Sequence, residues 1–163
     1  MPGLSFGERA RQRPAPRSGA PARPALQASS FWLGGAAMRR ILLVDDNPLI
    51  LTILADAFGA DYLVTKAASG EEAISLLETT AHPEHAGGHF DLIITDLNMP
   101  GVSGYDLASY VKTQNRHHKF TPVIMLTSAE ITKEEARRHG CAAFLPKSDL
   151  QKVVSMTHIL LPR

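Results

Sequence analysis

The sequence predicts an α/β fold in which a five-stranded parallel sheet carries helices on both faces. Short, continuous apolar runs alternate along the chain with segments of helical periodicity. Runs that are apolar throughout are typical of parallel strands buried on both faces. Strict alternation of strand and helix implies right-handed crossovers and therefore a doubly wound sheet. A length of 163 residues with 44% hydrophobic content suits one domain with one compact core.

Five short apolar runs predict the five strands. In chain order they are ILLV at 41–44, YLVTKA at 62–67, LII at 92–94, VIML at 123–126 and AAFL at 142–145. The first, third and fourth runs carry large apolar side chains at every position, which predicts central strands. The second and fifth contain polar or small residues and predict weaker strands.

Five segments between and after these runs predict amphipathic helices from the i, i+3, i+4 spacing of their apolar residues. The first helix begins at Pro48, because proline suits the first turn. The fourth covers Ile131 to His139 and is ended by Gly140, and Ser148 caps the fifth. The apolar positions of the first, second, third and fifth helices are, in that order, Ile50, Ile53, Leu54, Ala57 and Phe58; Ala73, Leu76 and Leu77; Leu107, Tyr110 and Val111; and Val153, Val154 and Leu161.

Residues 1–38 differ in composition from residues 39–163 and are predicted to be a disordered leader. They hold five arginines, five prolines and one acid, so their net charge is +4, whereas the remainder carries −3. Such a segment cannot bury enough apolar surface to offset its chain entropy. The stretch SSFWLGGAAM is too interrupted for a secretory signal, and the prolines interrupt the helix of a transit peptide. A dispensable leader before a second start at Met38 is favoured over these and over a nucleic-acid-binding arm.

Composition also excludes several classes of protein. The single cysteine, Cys141, can form neither an internal disulfide nor a thiolate metal site, which favours a reducing cytoplasm. No apolar run approaches the roughly 18 residues of a membrane span. The mildly acidic residues 39–163 argue against nucleic-acid binding. We therefore expect a cytoplasmic protein with neither membrane nor nucleic acid as a partner.

Chemically active side chains follow the predicted strands at their carboxyl ends. Asp45 and Asp46 follow the first strand, Asp96 the third, Thr127 the fourth and Lys147 the fifth. Ligands of doubly wound sheets bind at this edge. Three converging carboxylates require a cation, and their hard oxygen atoms favour Mg²⁺ (or Mn²⁺) over zinc. A single aspartate after a strand is usually a turn former or a cap. The whole set instead predicts that Asp96 is a nucleophile that forms an acyl phosphate.

Four stretches carry a family resemblance: LLVDDN, DLIITDLNMPG, VIMLTSA and FLPKS. They resemble the receiver domain of two-component response regulators, and the resemblance runs from about Arg39 to the C-terminus. It implies the flavodoxin-like strand order 2-1-3-4-5, for which this family is a known example, and it makes the first and third strands neighbours. It also implies that residues 39–163 form the receiver domain.

The resemblance implies a metal site and a phosphoacceptor. Asp96 would accept the phosphoryl group, and Asp46 would bind Mg²⁺ directly. Asp45 would assist, through water, and the backbone carbonyl of Asn98 would complete the site.

The resemblance also implies a switch. Lys147 would pair with the phosphoryl group, Thr127 would move towards it, and Phe144 stands at the position of the family's switch aromatic. Inward rotation of Phe144 would alter the face formed by the fourth helix, fifth strand and fifth helix, and a downstream protein would read that change.

A histidine kinase or a histidine phosphotransfer protein is the implied phosphoryl donor, so the chain is not expected to be an enzyme beyond its own phosphorylation and dephosphorylation. Because the sequence ends one helix after Lys147, we expect a stand-alone receiver. Two alternatives are an Mg²⁺-dependent aspartyl-phosphate hydrolase and a receiver that is never phosphorylated. A hydrolase typically carries a second acid two residues after the nucleophile, where this chain has Asn98.

Two features depart from the family pattern. A proline precedes Lys147 and Ser148 follows it, which puts the geometry of that loop in question. The segment AHPEHAGGH at 81–89 is longer than usual, and its His82, Glu84, His85 and His89 are interpreted as a flexible loop rather than a metal site. Four further histidines are predicted to be solvated surface residues: His117, His118, His139 and His158.

Overall fold

The structure is a computed structural model, and it describes residues 38–80, 88–128 and 133–162. Three sequence predictions lie outside these ranges: the leader up to residue 37, the His82, Glu84 and His85 segment, and most of the loop that follows Thr127.

The described residues form five strands and five helices that alternate along the chain, as predicted. The strands are β1 (Arg40–Val44), β2 (Leu63–Ala67), β3 (Leu92–Asp96), β4 (Val123–Thr127) and β5 (Ala143–Pro146). The helices are α1 (Pro48–Phe58), α2 (Gly70–Thr80), α3 (Gly104–Thr113), α4 (Lys133–Arg138) and α5 (Leu150–Leu160).

The strands form one parallel sheet in the order β2-β1-β3-β4-β5, which confirms the expected topology. The order reverses between β1 and β3, whose register pairs Val44 with Thr95. Both strands therefore end side by side at the carboxyl edge of the sheet, where parallel sheets of this type bind ligands.

Alternate side chains of the central strands face two separate core clusters. Leu42, Ile93 and Met125 belong to the cluster formed with α2 and α3. Ile41 and Ile94 belong to the cluster formed with α1 and α5. This division explains why the central strands are apolar at every position, since both faces of the sheet are covered.

The helix termini confirm the predicted start of the first helix and correct the predicted cap of the fifth. Pro48 stands in the first turn of α1, and the side chain of Asn47 accepts a hydrogen bond from the N–H of Leu49. Asp149, not Ser148, caps α5, because its carboxylate accepts a hydrogen bond from the N–H of Lys152. Serine and aspartate are both good N-cap residues, so composition could not choose between adjacent positions.

His118 is fully buried, so the prediction that it is a solvated surface residue is wrong. Its Nε2 accepts a hydrogen bond from the N–H of Phe90 at 3.2 Å, and its Nδ1 lies 3.3 Å from Asn115 Oδ1. Its ring stacks on that of His89, with centroids 4.7 Å apart. The acceptor role of Nε2 requires a neutral ring whose proton is on Nδ1.

The other three histidines lie nearer the surface. His117 and His139 are exposed, although His139 stacks on Tyr105. His158 is half-buried and stacks on Tyr62, which corrects its assignment as a solvated residue. Within the described residues, no helix combines the length and apolar character that crossing a bilayer requires.

We expect the free energy of unfolding to fall as the pH falls from 6.5 towards 4. Burial, and then the neighbouring charges of His89, His117 and Arg40, lower the pKa of His118 from 6.5 to about 4. Between these pH values the unfolded chain binds a proton at this histidine and the folded chain does not. This difference lowers the free energy of unfolding by about 1–2 kcal/mol at pH 5.

Urea unfolding at pH 7.5 and pH 5 measures this effect. The loss of stability between the two pH values should shrink in His118→Gln and persist in His117→Gln, whose histidine is exposed. An identical loss in the wild type and in His118→Gln would show that His118 does not carry the effect.

Candidate metal centre at the carboxyl edge of the sheet

Four strand ends deliver the predicted side chains to one edge of the sheet. Asp45 follows β1 directly, Asp96 and Thr127 are the last residues of β3 and β4, and Lys147 follows β5. Neighbouring strands of the four end within one residue of each other in register, and the N–H of Lys147 donates to the carbonyl of Thr127 at 2.9 Å.

The three aspartates meet at this edge, as the sequence predicts. One carboxylate oxygen from each of Asp45, Asp46 and Asp96 lies within 4.8 Å of the other two. Asp45 and Asp96 are buried, whereas Asp46 is exposed. Two unit charges about 4 Å apart repel by about 4 kcal/mol at an effective dielectric of about 20. Such a cluster is costly unless cations are close.

Lys147 supplies one such cation by bridging two of the aspartates. Its Nζ lies 2.8 Å from Asp45 Oδ2 and 2.8 Å from Asp96 Oδ2. Burial on its own would lower the pKa of Lys147, but the hydrogen bonds and charges of Asp45 and Asp96 together outweigh it and raise that pKa. Lys147 is therefore protonated at neutral pH. Sequence reasoning placed it opposite a phosphoryl group and missed this bridge.

Burial still opposes the charged form of Asp45 despite that bridge. Its Oδ1 accepts a hydrogen bond from the N–H of Asn47 at 2.9 Å, and its buried Oδ2 is paired with the ammonium group of Lys147 at 2.8 Å. Burial raises the pKa of Asp45, while Lys147 and the N–H of Asn47 lower it and Asp96 raises it further. A second cation would stabilise this carboxylate.

The donor set fits a hard divalent cation. All three side chains offer carboxylate oxygens, and the exposed Asp46 leaves the cluster open to water, as Mg²⁺ requires. The predicted ligand set of Asp45, Asp46 and Asp96 is thus brought together. Asn98 is exposed, two residues after Asp96, and its proposed backbone ligand stays a prediction.

The two predicted switch residues lie next to this edge. Thr127 is buried at the end of β4. Phe144 is half-buried on β5 and packs against the core cluster that contains Met125, its register partner. Among the described residues all peptide bonds are trans, including those at Pro146, Lys147 and Ser148.

The turn after β3 is held by residues that sequence reasoning did not single out. Gly101 has a φ of 74°, which favours glycine, and the carboxylate of Glu71 accepts a hydrogen bond from the N–H of Val102 at 3.0 Å. Hydrogen bonds from the N–H groups of Glu71 itself and of Val102 lower the pKa of Glu71. Pro100 and Gly101 indicated a turn, but nothing in the sequence indicated that a side chain of α2, Glu71, would hydrogen-bond to it.

Comparison with known proteins agrees with this geometry. Residues 41–158 match the family described as the response regulator receiver domain. The chain is 45% identical over 76 residues to the virulence sensor protein BvgS of Bordetella pertussis, a match that covers 45% of this chain and 5% of BvgS. It is 30% identical over 112 residues to the polar-differentiation response regulator DivK of Brucella ovis, covering 67% of this chain and 84% of DivK.

A solved structure is also similar. The response regulator TrrA of Thermotoga maritima, in complex with Mg²⁺ and beryllium fluoride, is 28% identical and has a TM-score of 0.63. The match covers 76% of this chain and all of TrrA.

Proposed function

Because this chain belongs to the family of response regulator receiver domains, we propose that it is a phosphorylation-dependent switch that accepts a phosphoryl group on Asp96. The observation that carries this proposal is the meeting of Asp45, Asp46 and Asp96 within 4.8 Å, with Lys147 held beside two of them. That arrangement combines a nucleophile, a metal ligand set and a cation for a phosphoryl oxygen.

Asp45, Asp46 and Asp96 would hold Mg²⁺ (or Mn²⁺), together with the backbone carbonyl of Asn98. When bound, the ion supplies charge neutralisation for the transferring phosphoryl group. The burial of Asp45 and Asp96 excludes bulk water from one side of the site, and the exposure of Asp46 leaves the other side open to the phosphoryl donor.

Phosphoryl transfer requires an attack by a carboxylate oxygen of Asp96 on phosphorus. The phosphorus–nitrogen bond of a donor phosphohistidine breaks, its electron pair returns to the imidazole, and an acyl phosphate forms on Asp96. Lys147 Nζ lies beside the attacking carboxylate, 2.8 Å from Asp96 Oδ2, and would transfer this contact to a phosphoryl oxygen. Attack by water on the phosphorus of the acyl phosphate would later regenerate the carboxylate and release inorganic phosphate, so the chain would catalyse only its own phosphorylation and dephosphorylation.

The switch would then pass through Thr127 to Phe144. The Thr127 hydroxyl would be drawn to the new phosphoryl oxygens, and the space that it leaves would admit the ring of Phe144. This change would alter the face formed by α4, β5 and α5, which a downstream protein target would read. The change is a shift between two populated packings, so partner binding would favour the same packing.

A histidine kinase or a histidine phosphotransfer protein would be the donor. The start of α1 lies two residues after Asp46, and it carries two large apolar side chains that face solvent, Leu49 at 63% exposure and Ile53 at 41%. Exposed apolar side chains beside the open part of the site suit a protein donor. The proposal keeps the cytoplasmic setting expected from the single cysteine.

Mass measurement after incubation with a small acyl phosphate tests the proposal. We expect an increment of one phosphoryl group with Mg²⁺ and none after its removal by EDTA, because the three carboxylates then repel the incoming anion. Continuous hydrolysis of unrelated phosphate esters would indicate a hydrolase instead. No increment with Mg²⁺ would indicate a receiver that is not phosphorylated, and either result would contradict the proposal.

A further inference from the structure

Tyr105 neighbours two other aromatic rings on the side of the sheet covered by α2 and α3. Its ring centroid is 3.7 Å from that of His139, with the planes 24° apart, and 6.0 Å from that of Phe144, with the planes 40° apart. Tyr105 and Phe144 are half-buried, whereas His139 is exposed. The ring of Tyr105 therefore neighbours both the exposed ring of His139 and the half-buried ring of Phe144.

The helix that carries Tyr105, α3, begins at Gly104, which packs against the backbone carbonyl group of Asp96. A side chain at Gly104 would collide with the backbone oxygen of Asp96, and it would lie 2.6 Å from the sulfur of Met125. The N–H of Gly104 also donates to the carbonyl of Leu97 at 3.0 Å. Glycine at this position therefore allows α3 to pack against the backbone of Asp96.

The first turn of α3 thus touches both ends of the proposed switch. Gly104 contacts Asp96, and the next residue, Tyr105, contacts Phe144. This connection does not pass through Thr127, so it is a second physical link between the phosphoacceptor and the switch aromatic.

We propose that Tyr105, supported by His139, is a positioning residue that holds Phe144 in its half-buried place and so opposes the switch. The inference rests on the proposed function, in which Phe144 moves inwards. That movement gives up the contact between the rings of Phe144 and Tyr105. An aromatic pair changes a two-state equilibrium by about two- to tenfold, so its loss shifts the population towards the inward state.

A titration with beryllium fluoride in the presence of Mg²⁺ tests the inference, because this phosphoryl mimic should bind the inward state more tightly. We expect Tyr105→Leu to lower the half-saturating concentration about fivefold, since the inward state no longer has to break the ring contact. Tyr105→Phe keeps both rings in contact and should bind like the wild type. The ring resonances of Phe144 in NMR spectra report binding, and without the mimic they should already move towards their saturated positions in Tyr105→Leu.

Tyr110→Leu is the matched control for a lost tyrosine in α3. Tyr110 is also half-buried, but its hydroxyl donates to Glu78 of α2 at 3.1 Å. Equal half-saturation in the wild type and Tyr105→Leu, or an equal shift in Tyr110→Leu, overturns the inference.

A second variant covers the case in which Tyr105→Leu does not fold, as judged by circular dichroism. His139→Gln removes the outer ring at an exposed position and should lower the half-saturating concentration about twofold. If that variant then binds like the wild type, the inference is also overturned. Failure of the wild type itself to bind beryllium fluoride contradicts the proposed function, so the two failures are distinguishable.

Discussion

Replacing Asp96 by asparagine should abolish the phosphoryl increment completely. The amide has no anionic oxygen to attack phosphorus. Mass spectrometry of the intact protein after incubation with Mg²⁺ and a small acyl phosphate measures the result.

Asp56→Asn is the matched control for this substitution. Asp56 is an exposed aspartate on α1, outside the acidic cluster. It should leave the increment intact, so that a loss in Asp96→Asn reports the phosphoacceptor rather than a change in net charge. A full increment in Asp96→Asn would contradict the assignment.

Replacing Lys147 by alanine should have opposite effects on two measurable quantities. The rate of phosphoryl acceptance should fall about a hundredfold, because a preorganised charge beside the developing phosphoryl oxygens is lost. The affinity for Mg²⁺ should rise about tenfold, because the ammonium group lies 2.8 Å from oxygens of Asp45 and Asp96 and competes with the ion for them.

Calorimetric titration with Mg²⁺ and the time course of the mass increment measure the two quantities separately. Lys152→Ala removes an exposed lysine of α5 and should change neither. A fall in both quantities in Lys147→Ala would mean that Lys147 only stabilises the fold of the site.

The strands could be predicted because each depends on local sequence, whereas the meeting of Asp45 and Asp96 also required the strand order that the family resemblance implied. An apolar run such as 41–44 identifies a strand buried on both faces, and the direction of parallel strands places Asp45 and Asp96 at the same edge. The chemistry of the site follows from where a strand ends, and the sequence shows that directly.

Contacts that depend on side-chain conformation could not be predicted in the same way. The sequence places Lys147 after β5, but its bridge to two carboxylates depends on the path of the side chain. His118 lies in a polar stretch, NRHHKF, and its burial becomes understandable only when the N–H of Phe90 is found to need an acceptor. Nothing in the sequence distinguishes Tyr105 from other helical residues. Its relation to the site becomes evident only from the packing of Gly104, the residue before it, against the backbone of Asp96.

The position of the acyl phosphate tests the central claim most directly. Borohydride reduces an aspartyl phosphate to homoserine, so treatment of the phosphorylated protein followed by peptide mass spectrometry identifies the modified residue. We predict homoserine at position 96 and at no other aspartate. Homoserine at position 45 or 46, or its absence from a protein that carries the phosphoryl increment, would contradict the account.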